Sequence, residues 1–403
     1  MTTLPPLAVY LHFPWCVAKC PYCDFNSHAL RDSLPEDAYV DALVADLASQ
    51  AARLGGQGAP REVVSVFMGG GTPSLFSPDA IQRVLEALGR LLALAPDAEV
   101  TLEANPATVE RGRFAEYRDA GVNRVSLGAQ SFDPVTLKAL GRIHVPGDVT
   151  RAADELHASG LANFNLDLMF GLPGQTRAGA LADLASALML EPAHLSHYQL
   201  TLEPGTLFAA QPPELPDEEL CWDMQVDCHA LLAARGFAQY EVSAFARAGR
   251  QCRHNLNYWR FGDYLGAGAG AHGKLTREPE EGAGFGIVER STHLREPRRY
   301  LATAAQGPQW RTVPRADLPF EYMMNALRLN EGFEPGEFTA RTGIGADEVA
   351  PTVDALVARG LLEHAGQAVR ATDFGRRFLN DLVAAFLPGT FPPIEKSQVR
   401  AGS

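Results

Sequence analysis

Three cysteines crowd one short loop, His12-Phe-Pro-Trp-Cys16-Val-Ala-Lys-Cys20-Pro-Tyr-Cys23. The spacing is C-x3-C-x2-C, and the loop follows directly on a strand-like run at residues 7–11. Three thiolates so close together can hold three corners of an iron–sulfur cube and leave the fourth iron open to another ligand. A zinc site is the competing reading, with His12 as fourth ligand to Cys16, Cys20 and Cys23. Zinc normally staples small loop-rich units, and here the loop tops a long α/β pattern. His12 would also have to turn back from the strand end. The spacing leaves both metals open.

The surroundings restrict the setting. The chain has 403 residues with a net charge of −13. Such an acidic balance argues against bulk binding to nucleic acid or anionic membranes. No apolar run approaches the ~18 residues that cross a bilayer. The N-terminal residues lack the basic and apolar stretches of a signal peptide, so the expected location is the cytoplasm. In that reducing setting cysteines are expected as thiols. Cys221, Cys228 and Cys252 are dispersed and read as buried thiols, the first two on one helix face.

Strand-like and helix-like segments alternate through the first half. Strands are expected at 7–11, 63–68, 99–102, 124–127, 164–169 and 195–200. Helices are expected between them, near 36–54, from 78 onward, and near 109–119, 148–158 and 178–190. Ser33-Leu-Pro-Glu36 resembles a capping box, and Ser77-Pro78 reads as an N-cap with proline at the first helical position. Six βα units predict a mostly parallel α/β sheet, too short for the eight-fold barrel and therefore a partial one. Such sheets bind ligands at the carboxyl ends of their strands. The cysteines, Gly69–Gly71, Glu103, Gln130 and Gly171 all fall there.

Three segments complete the plan: a core over 1–212, an extension over 213–310 and a C-terminal unit over 311–403. The extension should hold a helix at 218–234, a strand around 239–242 and an exposed loop at 276–286. The last unit should hold helices at 322–329, 346–359 and 373–386 with a β-hairpin at 361–370. It is small, mostly helical and winged-helix-like.

Gly69-Gly-Gly71-Thr72-Pro73 offers backbone a ligand could approach closely, though a plain tight turn explains glycines equally. It is neither a P-loop nor a dinucleotide fingerprint. Glu103 at a strand end could accept from a hydroxyl or an amine. Asp167 sits inside the apolar run Asn165–Met169, where a carboxylate is costly unless paired.

Taken together, Tyr10-x-His12-x-Pro14-x-Cys16-x3-Cys20-x2-Cys23 and Gly69-Gly-Gly-Thr-Pro73 resemble the radical S-adenosylmethionine (SAM) superfamily. More closely they resemble its anaerobic coproporphyrinogen oxidase-like family. The likeness continues through residues 121–132, Leu140-Gly-Arg142-Ile-His144 and residues 165–174, and into the C-terminal unit. It implies a partial (β/α)6 radical SAM barrel. It implies a [4Fe-4S] cluster on Cys16, Cys20 and Cys23, with the open iron chelating SAM. Gly71 and Thr72 would meet the methionine end, and Glu103, Gln130, Arg142 and Asp167 the rest. Tyr10 and Tyr22 would pack beside the cluster. Reduction would then cleave SAM to a 5′-deoxyadenosyl radical.

Within that family two jobs compete: oxygen-independent coproporphyrinogen III oxidase, or heme chaperone of the HemW branch. Family oxidases carry a further cysteine two residues after the third ligand, where this chain has Phe25. They also carry a long N-terminal extension, and only nine residues precede Tyr10 here. His254-Asn255-Leu-Asn-Tyr258-Trp259 matches the H-N-x-x-Y-W motif of the chaperone branch. By that resemblance His254, Asn255, Tyr258 and Trp259 would contact heme, the imidazole as iron ligand and the aromatics over the macrocycle. Core packing is the plain alternative for all four. Arg290, Arg295, Arg298 and Arg299 form a basic cluster that could pair propionates or simply face solvent. The expectation is a heme chaperone with coproporphyrinogen oxidation in doubt. A radical SAM enzyme for another tetrapyrrole is the third option. The expected partners are heme or another tetrapyrrole and a heme-acceptor protein, a membrane-associated one among the options, with no nucleic acid.

Overall fold

A computed structural model describes residues 4–54, 61–107, 112–277 and 286–389. The start of the helix expected at 109–119 and most of the loop expected at 276–286 lie outside the described residues.

Six parallel strands form the centre: β1 (Leu7–Phe13), β2 (Val63–Gly70), β3 (Leu94–Ala104), β4 (Arg124–Gln130), β5 (Phe164–Phe170) and β6 (His194–Gln199). Helices between them include α1 (Glu36–Leu54), α2 (Pro78–Leu91), α3 (Arg113–Asp119), α4 (Pro146–Ala158) and α5 (Arg177–Met189). Both chemistries of a strand show in the side-chain alternation. Val9, Leu11 and Phe13 of β1 are fully buried, as are Val66 and Met68 of β2 and Val125 and Leu127 of β4, all in one core with Leu43, Leu47 and Val84 of the helices. Fully burying such an aliphatic side chain is worth about 1.5–3 kcal/mol. The opposite parity carries Tyr10, Phe67, Glu103, Arg124, Ser126, Asp167 and Tyr198, which face the barrel interior. The strands are therefore mainly apolar on the helix side. Polar side chains face mostly inside, with His197 of β6, stacked on Phe170 on the helix side, as an exception.

The sheet does not end with six strands. It continues with β7 (Ala238–Gln239), β8 (Ala244–Ala246), β9 (Asp263–Ala267), β10 (His272–Arg277), β11 (Ile287–Thr292) and β12 (Gln309–Thr312). The order is β12-β11-β10-β9-β1-β2-β3-β4-β5-β6-β8-β7. Strand β9 runs parallel to β1, and β10–β12 add antiparallel neighbours beyond it. Of these added strands, only one around 239–242 is expected from sequence, and of that span only Gln239 is in a strand, β7, while β8 begins beyond it. Asp263 of β9 accepts from Lys274 at 2.8 Å and from Arg61 at 2.8 Å, an ionic knot buried under the sheet.

Several local expectations hold. Ser77 caps α2 through the Ala80 amide with Pro78 at the first position, and Glu218–Ala234 is a helix (α6). The capping box at Ser33 is not formed. Glu36 instead accepts from the Ser77 amide at 2.6 Å and its hydroxyl at 2.8 Å, tying α1 to the start of α2. After α7 (Arg253–Trp259), the C-terminal unit packs Leu318–Ala326, Pro335–Thr342 and Ala346–Ala358 with the hairpin Leu362–Ala365/Ala368–Ala371. The last expected helix is split into Asp373–Arg376 and Leu379–Ala384. Its apolar core takes in Val288 from the sheet and Phe261 from the turn before β9.

Candidate functional site

The cysteine loop is held from three sides. The amides of Gly71 and Thr72 donate to the carbonyls of Phe13 and Trp15 at 2.7 and 2.8 Å. Lys19 donates to the carbonyls of Phe25 and Ser27. The Asn26 side-chain amide donates at 2.8 Å to the carbonyls of Ala269 and Arg295, far along the chain. The glycines are needed for closeness rather than for free donors. A Cβ at Gly71 would sit 2.6 Å from the Trp15 carbonyl, and one at Gly70, where φ is +111°, would sit 2.3 Å from the His12 ring. The three successive amides of Gly70, Gly71 and Thr72 are all used, the first by Glu103 at 3.0 Å. The bare donors expected of this loop are therefore absent among the described residues.

Above the strand ends lies a cavity of about 330 Å³. Cys16, Cys20, Cys23, Tyr22, Gly71, Thr72, Glu103, Gln130, Arg142 and Asp167 all line it. Ten expected residues, from six separated segments, thus meet in one place. Tyr10 is not among them. It pairs in register with Phe67, stacks on that ring and donates to His12 Nδ1 at 2.8 Å.

The cavity has an unusual electrostatic wall. Burial, with the neighbouring Asp167 charge, pushes the Glu103 carboxyl up to about 8 despite the Gly70 amide. Burial raises Asp167 too, against hydrogen bonds from Asn165, Ser196 and Ser126. Arg142 reaches from Cys20 Sγ at 3.6 Å to the Gly128 carbonyl at 3.0 Å. Burial raises the Cys16 thiol, and a hydrogen bond with Thr72 works the other way. Gln130 adopts φ +59°, a costly conformation for a residue with a Cβ. Its Oε1 and Arg142 Nε are buried without a partner among the described residues. Strain and orphaned polar atoms at a cavity wall fit a polar ligand that would complete them.

His12 is engaged away from the cysteines. Its Nδ1 accepts from Tyr10, and its Nε2 donates to the Asn26 carbonyl at 3.0 Å. Burial lowers it to about 4, so the ring is neutral. It lines the other side of the loop from the cysteines. Three thiols without a histidine are the donor set of an open-cornered cluster, and they fit one.

The His254 motif divides. Glu99 of β3 accepts from the amides of Arg253 and His254 at 3.0 and 3.2 Å, capping the start of α7. His254 Nδ1 lies 2.9 Å from Cys252 Sγ and 3.2 Å from Glu99 Oε1, and its ring stacks on Phe67 at 4.0 Å. Burial lowers His254, while burial of Glu99 is outweighed by His254, Arg124 and the Arg253 amide, which hold that carboxyl at about 2. His254 and Asn255 border a small space of about 170 Å³ inside the barrel, shared with Arg124, Ser126 and Asp167. Glu99, Cys252 and His254 could bracket a metal ion. The carboxylate, however, is already committed to two amides and to Arg124 at 3.6 Å. At the other end of α7, Tyr258 and Trp259 line a second large cavity of about 690 Å³.

This second cavity adjoins the first. Asp24, Phe25, Gly70 and Glu103 border both. Its walls are aromatic, with Tyr10, Phe67, Phe261 and Tyr264 beside Tyr258 and Trp259, and its rim carries Arg290 and Arg295. Arg298 and Arg299 stand exposed at a helix start instead. Sequence reasoning missed Tyr198 in the first cavity and Tyr264 and His272 in the second. Strand parity with Ser196 could have found Tyr198. The run Gly270-Ala-His272-Gly carries no such signal.

Comparison with known proteins places this geometry. Residues 10–185 match the Radical SAM superfamily and residues 313–378 the HemN C-terminal domain. The chain is 50% identical to "Heme chaperone HemW" of Escherichia coli over 96% of its length and 100% of that protein. The chain belongs to the HemW family. A second HemW, from Haemophilus influenzae, is 45% identical over 96% of this chain and 99% of its own. The solved coproporphyrinogen III oxidase HemN of Escherichia coli shares the fold, with a TM-score of 0.77 over 95% of this chain and 90% of that one, at 23% identity. Membership in this radical SAM family implies a [4Fe-4S] cluster and SAM, and the first cavity has the thiols and polar walls to fit them. Among the described residues no helix is long and apolar enough to cross a membrane.

Proposed function

We propose that this chain is a heme chaperone: it binds heme and delivers it to an acceptor protein from a radical SAM scaffold. The observation that carries the reading is the end-to-end likeness to HemW proteins. The second cavity supports it, being aromatic-walled, rimmed by arginine and separate from the cysteine loop's own cavity.

In this reading Cys16, Cys20 and Cys23 hold the cluster. Glu103, Gln130, Arg142 and Asp167 orient SAM, with Gly71 and Thr72 at its methionine end and Tyr22 closing the side. Bound together, cluster and SAM supply one-electron chemistry. The chain's own residues do the rest. Arg142 places a cation beside the Cys20 sulfur, and Glu103 offers a carboxyl that gives up its proton when a cationic group arrives. Phe25 stands 57% exposed at the boundary of the two cavities, where the family's oxidases place another cysteine. The acceptor is a protein that takes up heme, membrane-associated in the finer form of the proposal, with the donor in the cytoplasm.

The test is a hemin titration of the anaerobically reconstituted full chain, followed by mixing with an apo-hemoprotein. A saturable Soret band that moves to the acceptor supports the reading. Failure to bind heme, or turnover of coproporphyrinogen III with SAM and a reductant, overturns it.

A further inference from the structure

We infer that heme sits in the second cavity with His272 as its axial iron ligand and Arg295 and Arg290 at its propionates. The inference rests on the heme-binding reading above and goes beyond it in assigning the seat and the ligand.

A heme site needs a flat apolar slot, one donor for iron and cations for two carboxylates. The cavity of about 690 Å³ lies within the ~300–1,000 Å³ range of small-molecule sites. Its walls supply the slot. Tyr10 and Phe67 stack at 5.8 Å on one strand pair, and Tyr258 meets Tyr264 edge to face at 4.6 Å. Trp259, under the Arg328 guanidinium, keeps a buried indole N–H with no partner among the described residues.

The iron donor follows by elimination among the lining residues. No cysteine among the described residues lines this cavity. Burial raises Tyr10, Tyr258 and Tyr264 above the ordinary phenol value, which disfavours phenolate ligation. Lys274 is engaged by Asp263 and the Phe261 carbonyl. His12 has both ring nitrogens occupied by Tyr10 and Asn26. His272 is left. It makes no side-chain hydrogen bond among the described residues. Burial, followed by the charges of Arg290 and Arg295, lowers it from its ordinary value, so a lone pair is available near neutrality. His254 does not compete, because it faces Glu99 and Cys252 on the far side of Phe67.

The sheet explains why these groups converge. His272 and Lys274 share one face of β10, and register pairs them with Thr292 and Arg290 of β11. Arg295 follows in the turn whose Leu294 carbonyl accepts from Gly270. Arg290 already contacts the Tyr264 hydroxyl and Glu321. Arg295 is exposed and held only by a long contact to Asn26 at 3.5 Å, so it is the freer cation. An iron ligand at an open rim suits cargo that must be loaded and released.

The experiment is a hemin titration of the full reconstituted chain, read by absorption and EPR. For His272→Ala we expect a displaced Soret band and roughly tenfold weaker binding, with the band restored by added imidazole. His272→Tyr exchanges nitrogen for oxygen ligation and should move the band in a protein that still binds SAM, which separates ligand loss from misfolding. Arg295→Glu should weaken binding without moving the band. Unchanged position and affinity in both His272 variants overturns the assignment and leaves the heme-chaperone reading standing. No heme binding by the unmodified chain overturns both.

Discussion

Glu103 holds a proton at neutral pH that an unfolded chain would release. Its folded value is about 8, against an ordinary carboxyl near 4.5, because it is buried next to Asp167. Between those two values the folded state binds more protons, so the group costs stability increasingly as pH rises from about 4.5 to 8. Raising a carboxyl's pKa by one costs about 1.4 kcal/mol once the unfolded chain is fully ionised, which puts the ceiling here at a few kcal/mol. Glu103→Gln, which keeps an acceptor for the Gly70 amide, should therefore gain stability over wild type as pH rises through that window, and little below it. Chemical denaturation at several pH values checks this. A gain independent of pH would mean that the proton is not held. At this scale the sequence is informative about which residues meet and poor about how. Glu103 and Gln130 converge as their strand-end positions imply, while Asp167, inside its strand, and Arg142, in a loop, join them as the resemblance implied. The use of the glycine-loop amides by Phe13 and Trp15 cannot be read from it, because that depends on how closely two loops approach.

The element that best shows function leaning on structure is α7. Glu99 caps its first turn, His254 wedges it against Phe67, and its last turn presents Tyr258 and Trp259 to the second cavity. The motif is one device with a structural end and a binding end. Removing Glu99 as Glu99→Ala leaves Arg124, itself almost wholly buried, without its counter-charge. Breaking such a buried pair typically costs about 3–5 kcal/mol. We expect a loss of that order by denaturant unfolding, together with a shift in tryptophan emission as Trp259 moves. A substitution effect below about 1 kcal/mol would contradict the capping role. From sequence the motif leaves heme contact and core packing open for all four residues together, since polar and aromatic residues packed into so short a stretch do not announce which face each takes. The parallel strands and their helices are legible because apolar residues recur at clear periods. Strands β9 to β12 are not. They are short and partly charged, and β9 leads into the run Gly266-Ala-Gly-Ala-Gly270, which reads as turn.

At the scale of the molecule, the C-terminal unit is a structural neighbour of the sheet rather than a tail. Phe261 and Val288 belong to the same apolar cluster as Leu318, Tyr322 and Phe338. Ending the chain at residue 312 would strip that cover from the sheet edge bearing His272 and Arg290. The shortened protein should be aggregation-prone and quickly cleaved near Phe261 under limited proteolysis. A stable, protease-resistant product would show that the first 312 residues suffice. Composition suggests a core, an extension and a C-terminal unit. A single twelve-strand sheet running through the first two is not legible there, because pairing between strands about 250 residues apart leaves no local trace.

That long-range pairing also has a consequence in time. The cysteines emerge early from the ribosome, yet Asn26, which anchors their loop, takes its partners from Ala269 and Arg295, and β1 gains its second neighbour only with β9. At about 5–20 residues per second, translation takes roughly ten to fifty seconds to travel that distance. Throughout that interval three thiols wait on a loop that lacks its Asn26 anchor points. The finished geometry of the cysteine loop is therefore a late event in folding, set by when residue 295 arrives and not by when residue 23 does.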